Sequence, residues 1–161
     1  MKLDWLDEGS LIILLPEPLS TEWHGIESDD YDRACANSNS WLNTLQVSAG
    51  LGLLLGGDVG MVLVISGDDG TTSLIRWVYA NDEDELVVFA LQGTSVTQAE
   101  PDLVFNNTFA EWVLFNAAAS PSSDSPDMRS ISLPVGPIRI ETVYCESGTN
   151  AAIVHRFSKS A

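Results

Sequence analysis

Residues 41–80, "WLNTLQVSAGLGLLLGGDVGMVLVISGDDGTTSLIRWVYA", alternate short apolar segments with turn residues. The segments "WLNTLQV", "LGLLL", "MVLVI" and "TTSLIRWVYA" are followed by "SAG", "GGDVG", "SGDDG" and "NDED". This spacing is typical of antiparallel hairpins, because Gly and Asp-Gly adopt the backbone angles of tight turns. The stretch therefore predicts antiparallel sheet. Within "SLIRWVY", Arg76 shares an otherwise apolar face with Leu74 and Val78, so we expect an acidic partner or a sheet edge beside it.

The segment "NDEDELVVFALQG" is the clearest helix, near residues 82–91. Asp82 and Glu85 have the spacing of a capping box, and Gly93 follows the end. Its first turn consists of acids, which favour the positive end of a helix. They are Asp82, Glu83, Asp84 and Glu85.

The segment "ESDDYDRACANS", residues 27–38, predicts a second short helix near 29–37. Asp29 can cap it, and Asp30 and Asp32 fall in its first turn. Helical spacing places Tyr31, Ala34 and Cys35 on one face of this helix. We expect that face to anchor the helix on the sheet.

The rest of the chain also consists of short predicted strands separated by turns and loops. "SLIILLP", ended by Pro16, predicts a strand buried on both faces, and "IRIETVY" a strand with one wet face. "LVFNNTF", "EWVLFNAA" and "AAIVHRF" are strand-like, whereas "ASPSSDSPD" predicts a polar loop. We expect one α+β domain over residues 1–161, dominated by antiparallel sheet, with about eight to eleven strands and two short helices.

The chain is strongly acidic, with a formal net charge of −16 over 161 residues. Residues 1–85 contain 16 acids and three basic residues, a net of −13. Such a charge repels nucleic acid and anionic membrane, whose binding requires cationic groups, and is complementary to a basic partner. The alternative is that the acidity serves solubility alone. Without a signal sequence or a long apolar run, the sequence predicts a soluble, cytoplasmic protein.

Residues for catalysis are scarce. The two histidines, His24 and His155, are interpreted as a turn residue and a strand residue with a satisfied ring. No hydrolase elbow, phosphate-binding loop or zinc-protease motif is present, so we expect no enzyme and no cofactor. Cys35 and Cys145 could form a disulfide, but two buried free thiols are expected.

Three other kinds of site stay open. The acids at 29–32 and 67–69 could bind a hard cation, although neither matches a calcium loop, and we expect no metal. Two opposed carboxylates could give a small hydrolase or glycosidase. Five tryptophans could form a carbohydrate-binding face, but we expect Trp77 and Trp112 to be buried.

Several segments of residues 9–85 together resemble the immunity protein 21 family of bacterial polymorphic toxin systems. These are the opening strand Leu11–Pro16, Trp23 with Gly25, "DYDRAC" at Asp30–Cys35, "GLLLGGD" at Gly52–Asp58 and "RWVYA" at Arg76–Ala80. The C-terminal "GPIRIETVYCESGTNAAIVHRF" is also similar, but the opening "EGSLIILL" departs from the Gly-Gly-Pro expected there.

The resemblance implies a cytoplasmic immunity protein that binds and neutralises a cognate toxin domain. Many such domains are nucleases with a basic groove, so the acids are the first candidates for a docking surface. We expect binding by Asp29, Asp30 and Asp32 and by the turn Asp82, Glu83, Asp84 and Glu85. The motif residues are expected to support the fold, namely Trp23, Gly25, Tyr31, Arg33, Cys35, Arg76, Trp77 and Tyr79.

Overall fold

A computed structural model describes residues 3–9 and 11–160, and it confirms an α+β protein dominated by antiparallel sheet. The described residues form twelve strands. They are β1 Leu6–Asp7, β2 Ile12–Pro16, β3 Leu42–Val47, β4 Gly50–Leu55, β5 Met61–Ser66, β6 Thr72–Tyr79, β7 Val96–Ala99, β8 Leu103–Asn107, β9 Glu111–Asn116, β10 Arg129–Ser132, β11 Gly136–Ser147 and β12 Asn150–Lys159.

Three α-helices and two 3₁₀ helices accompany these strands in the same part of the chain. The α-helices are α1 Asp30–Ala36, α2 Glu83–Gln92 and the four-residue α3 Pro121–Asp124; the 3₁₀ helices are Glu17–Glu22 and Gly25–Glu27. The two predicted helices are confirmed as α1 and α2, and α3 lies in the predicted polar loop. No helix of the described chain has the length and apolar character needed to span a bilayer.

The chain divides into two compact units, and each unit contains one sheet. The first unit takes residues up to Asp7, residues 61–108 and residues from Pro134 on; the second takes residues 8–60 and 109–133. The sequence predicted one domain over residues 1–161, and that stays a prediction.

The sheet of the first unit has seven described strands in the order β1-β5-β6-β12-β11-β7, and β8 also pairs with β11. The long hairpin β11–β12 lies inside this sheet, and both strands of the hairpin pair on both sides. Helix α2 packs on β12 and β6. Its inner face joins a core with Ile75, Cys145 and Val154, against which Trp5 and Trp77 pack.

The sheet of the second unit has five described strands in the order β10-β9-β2-β4-β3. All residues of β2 are buried, as the run "IILLP" predicts; Ser10, at the start of the predicted strand, lies outside the described residues. Helix α1 joins this unit's core through buried Ala34 and half-buried Tyr31, beside fully buried Trp23.

The hairpin prediction for residues 41–80 is right for two pairs and wrong for the segment between them. β3 pairs with β4 and β5 pairs with β6, and the second turn uses Gly70 at φ +82°. However, β4 and β5 belong to different sheets, so "GGDVG" connects the two units and closes no hairpin. With twelve described strands, the count also exceeds the eight to eleven predicted; neither the two-residue β1 nor the four-residue β7 was among the predicted segments.

Candidate partner-binding surfaces

The acids at the start of α1 have two different roles. Asp29 occupies the cap position, but its side chain makes no capping hydrogen bond, so this detail of the prediction is wrong. Instead, Asp30 turns back and its Oδ2 accepts from the His24 backbone N–H at 2.9 Å. Asp29 and Asp32 are exposed, and neither side chain forms a hydrogen bond or ion pair within residues 3–9 and 11–160. Of the three predicted binding acids on α1, these two are available to a partner.

Asp30 is part of a clamp that holds α1 in place. Arg33 Nη2 contacts Asp30 Oδ1 at 3.0 Å, and Arg33 Nη1 donates to the Gln46 carbonyl of β3 at 3.2 Å. Partial burial acts to raise the pKa of Asp30, but hydrogen bonds from His24, Arg33 and Ser28 and the charge of Arg33 outweigh it and lower that pKa. Asp30 is therefore ionised at neutral pH and already paired.

The acids at the start of α2 divide in the same way. Asp82 caps the helix as predicted, since its Oδ1 accepts from the backbone N–H groups of Asp84 at 2.7 Å and Glu85 at 3.1 Å. Glu83 Oε1 accepts from the Leu3 N–H at 3.2 Å. Asp84 and Glu85 are exposed, and their carboxylates form no bond to another described residue.

Asp84 and Glu85 line a groove of about 460 Å³ along the outer side of α2. Asp84, Val88 and Gln92 follow one another at four-residue intervals, so they form one row on the helix surface, with Glu85 and Phe89 beside it. Asn150, the first residue of β12, also lines the groove. Val88, Gln92 and Asn150 were not among the predicted site residues. The helical spacing could have indicated the first two, whereas nothing local indicates Asn150.

A second cavity, of about 440 Å³, lies beside α1. Three of the segments quoted for the predicted family resemblance meet there, because its lining includes Leu11 just before β2, Tyr31 and Cys35 from α1, and Gly57 and Asp58 from the connection after β4. Cys35 is exposed, so the prediction that it is buried and anchors α1 is wrong. The seven-residue helix is anchored by Tyr31 and Ala34, and Cys35 lies at the cavity instead.

Cys145 is buried and free as predicted, and burial raises the pKa of its thiol against the opposing charge of Arg156.

Arg76 lies fully buried in β6 and contacts a histidine. Its Nη1 lies 3.4 Å from His155 Nε2, and His155 Nδ1 lies 2.8 Å from Thr142 Oγ1. Burial lowers the pKa of Arg76 to about 10, opposed by the charge of Glu100, so the guanidinium is cationic at neutral pH. The sequence predicted an acidic partner or a sheet edge beside Arg76, and Glu100 is the acid whose charge acts on the guanidinium.

The protonation of His155 follows from these contacts. The pKa of His155 lies well below its ordinary 6.5, because burial, the larger cause, and the charge of Arg76, the smaller one, both lower it. A guanidinium only donates, so Nε2 of the neutral ring accepts, and Nδ1–H donates to Thr142. This confirms the interpretation of His155 as a strand residue with a satisfied ring. Exposed His24 lies at the start of a 3₁₀ turn, and in the described chain neither imidazole bonds a carboxylate, serine or cysteine side chain.

The remaining motif residues differ in burial. Trp23 is fully buried, and its Nε1 donates to the Ala117 carbonyl at 2.8 Å. Gly25 has φ +55°, and a Cβ there would collide with the backbone of Ala118. Half-buried Trp77 meets Trp5 edge to face at 5.4 Å, and Tyr79 is 41% exposed. Trp23 and Gly25 therefore support the fold most directly.

The structure also bears on the metal site and the tryptophan face that the sequence left open. Within residues 3–9 and 11–160, no group of three or more His, Cys, Asp or Glu side chains could hold a metal ion. Trp112 is buried as predicted, whereas the prediction that Trp77 is buried is wrong, because it packs at the half-exposed margin of its core.

Comparison with family models, curated proteins and solved structures found no match to this chain.

Proposed function

We propose that this protein is a cytoplasmic immunity protein that binds and neutralises a cognate toxin domain with a basic surface. The observation that supports it best is the set of exposed carboxylates that the fold does not use. Asp30, Asp82 and Glu83 are engaged in bonds within their own units. Of the seven predicted binding acids, four remain directed to solvent, namely Asp29 and Asp32 at the start of α1 and Asp84 and Glu85 at the start of α2.

Exposed acids on a chain of net charge −16 favour association with a cationic partner. Long-range attraction raises the rate of encounter, and its effect weakens as salt shortens the screening length to about 8 Å at physiological strength. A nuclease domain is one such partner, because its substrate groove must attract phosphate. Acids placed over that groove would block the substrate and supply complementary charge.

The test begins with the gene next to that of this protein. If the gene immediately upstream encodes a large secreted protein, its C-terminal domain is expressed in a bacterial host from a tightly repressed promoter, with and without this chain. We expect the domain to stop growth and this chain to restore it. Growth arrest that this chain does not relieve, or a chain encoded within a metabolic operon, would contradict the proposal.

Stopped-flow association with that domain at two salt concentrations then tests the acids. Two double variants remove the exposed pairs, Asp29→Asn with Asp32→Asn and Asp84→Asn with Glu85→Gln. Glu17→Gln with Glu22→Gln is the matched control, because it removes two exposed charges from a different element. We expect at least one test pair to slow association several-fold at low salt, and the control to change it less. An association rate indifferent to salt and to both pairs would mean that the acidity serves solubility.

A further inference from the structure

A cavity of about 510 Å³ lies in the first unit, beside the last turn of α2. Its lining contains charges of both signs, because Arg156 from β12 meets Asp68 and Asp69 from the turn between β5 and β6. Apolar surface comes from half-buried Ile65 and from Leu91, which is 41% exposed. A cavity of this volume, with apolar walls and a few convergent polar groups, has the character of a small-molecule site.

Ser73 provides this cavity with a polar group that the fold does not use. The residue is only 4% exposed, and its hydroxyl forms no hydrogen bond with any residue that the structure describes. The oxygen is not sealed from solvent, and Ser73 lines the cavity, so a molecule bound there can reach it. Polar side chains buried to this degree nearly always have a partner, because an unpaired one loses water without compensation. Ser73 therefore lacks a partner that a molecule in the cavity can supply.

Arg156 is the register partner of Ser73, so their side chains lie side by side on one face of the sheet. It is half-buried, and within the described chain its side chain forms neither a hydrogen bond nor an ion pair. Glu141 lies opposite it on β11, yet no ion pair joins the two. The guanidinium lies at the end of α2, where Nη2 is 3.9 Å from the position that a Cβ on Gly93 would take. A half-buried cation beside an unpaired hydroxyl forms a site for a carboxylate.

Asp68 and Asp69 decide what kind of anion the cavity accepts. Asp69 Oδ1 accepts from the Thr71 hydroxyl at 2.7 Å and from the Thr71 backbone N–H at 3.1 Å. Asp68 is exposed, and its carboxylate bonds no described residue. Two carboxylates against one guanidinium repel a phosphate or another polyanion. A molecule that has both a carboxylate and an ammonium group is complementary to both signs of charge.

We propose that this cavity binds a free amino acid with an aliphatic side chain. The carboxylate of the amino acid bonds the guanidinium of Arg156 and the hydroxyl of Ser73, which donate to it from neighbouring strands. Its ammonium group lies at the carboxylate of Asp68, and its side chain packs on Ile65 and Leu91. The site is independent of the proposed function, because none of the acids assigned to toxin binding lines this cavity.

Leucine is the probe, and two derivatives of the same shape are its matched controls. Leucinamide lacks the carboxylate, and N-acetylleucine lacks the ammonium group. Each is titrated into the full chain labelled with ¹⁵N, and the Nε–H signal of Arg156 is followed with the backbone amides of residues 67–73 and Leu91. We expect saturable shifts confined to these groups, and about ten-fold weaker binding of each derivative, because each loses one charge-assisted contact. Equal binding of all three molecules, or shifts that do not saturate, would overturn the site.

Ser73→Ala tests the site with the smallest change, because it removes only a hydroxyl that the fold does not use. We expect it to weaken leucine binding several-fold and to leave urea unfolding of the unliganded protein unchanged. Arg156→Gln should weaken leucine binding about ten-fold. The control is Arg139→Gln, which removes an arginine of β11 that already pairs with Asp102 and should bind leucine as the parent does.

Two results with these variants would contradict the proposal. Leucine binding that is unchanged in Ser73→Ala would show that the hydroxyl faces no ligand, and this variant decides alone if Arg156→Gln does not fold. A loss of binding in Arg139→Gln equal to that in Arg156→Gln would mean that leucine responds to the overall charge of the protein and occupies no defined site.

Discussion

The buried His155 should make the stability of this protein depend on pH in a defined window. The ring is fully buried, and Arg76 Nη1 lies 3.4 Å from its Nε2, so the folded protein resists its protonation. In the unfolded chain the ring recovers its ordinary pKa of 6.5. Because the folded pKa is the lower one, this contribution to stability is complete above 6.5 and is lost as pH falls below it.

The magnitude follows from proton linkage. Below the unfolded pKa the unfolded state binds one more proton than the folded state, so the free energy of unfolding falls by about 1.4 kcal/mol per pH unit. Integrated from about pH 7.5 to about pH 5.0, the loss from this one ring is at most about 2 kcal/mol, the value reached when His155 stays neutral in the folded state over the whole range.

Urea unfolding at several pH values, followed by circular dichroism, measures this loss. Both proteins contain His24→Gln, so that His155 is the only imidazole, and one also contains His155→Asn, whose amide can replace the donor to Thr142. Subtracting one free energy of unfolding from the other cancels the contribution of the carboxylates, and the difference should shrink by up to about 2 kcal/mol between pH 7.5 and 5.0. The reasoning would be refuted if the free energies of unfolding of the two proteins changed in parallel with pH. A histidine Hε1 signal that titrates near pH 6.5 in the folded protein would refute it as well.

Three further outcomes are expected from the same unfolding measurements. Asp82→Ala should lower the free energy of unfolding by about 1 kcal/mol, because it removes the acceptor at the start of α2; no change would show that the cap is dispensable. Gly25→Ala should lower it by at least about 2 kcal/mol, since it strains a positive φ and presses on Ala118, whereas Gly148→Ala, in open space, should change it by less than about 0.5 kcal/mol. Equal effects would contradict this assignment. Asp30→Asn should cost about 1 kcal/mol at neutral pH, after allowance for solvent screening, and progressively less as pH falls below the ordinary carboxyl pKa of 3.8, because the unfolded chain then binds a proton that native Asp30, with its lowered pKa, still resists; a cost independent of pH would mean that the charge of Asp30 is not involved.

Local chemistry in the sequence determined the elements of this protein. The strand β2 could be predicted because an unbroken apolar run ends at Pro16, and α2 because Asp82 and Gly93 mark its ends. The alternation of Ile138 and Ile140 with polar neighbours likewise gave one face of β11. These signals depend on residues within about one turn or one hairpin of each other, so the sequence contains them in full.

Tertiary structure decided how the elements pair and which acids stay available. Helical spacing places Tyr31, Ala34 and Cys35 on neighbouring positions, but only packing shows that Cys35 lies at the margin of that contact. Glu83 is occupied by the N–H of Leu3, 80 residues away in the chain.

The same limit applies to the buried polar groups. A buried Arg76 requires a compensating group in any fold. Its contact with His155, 79 residues away in the chain, depends on the pairing of β6 with β12. Asn150 joins the groove on α2 for the same reason, because α2 packs on the strand that begins with it. Hydrophobic burial favours any register that covers the apolar faces, so partners this distant are fixed only when the whole sheet forms.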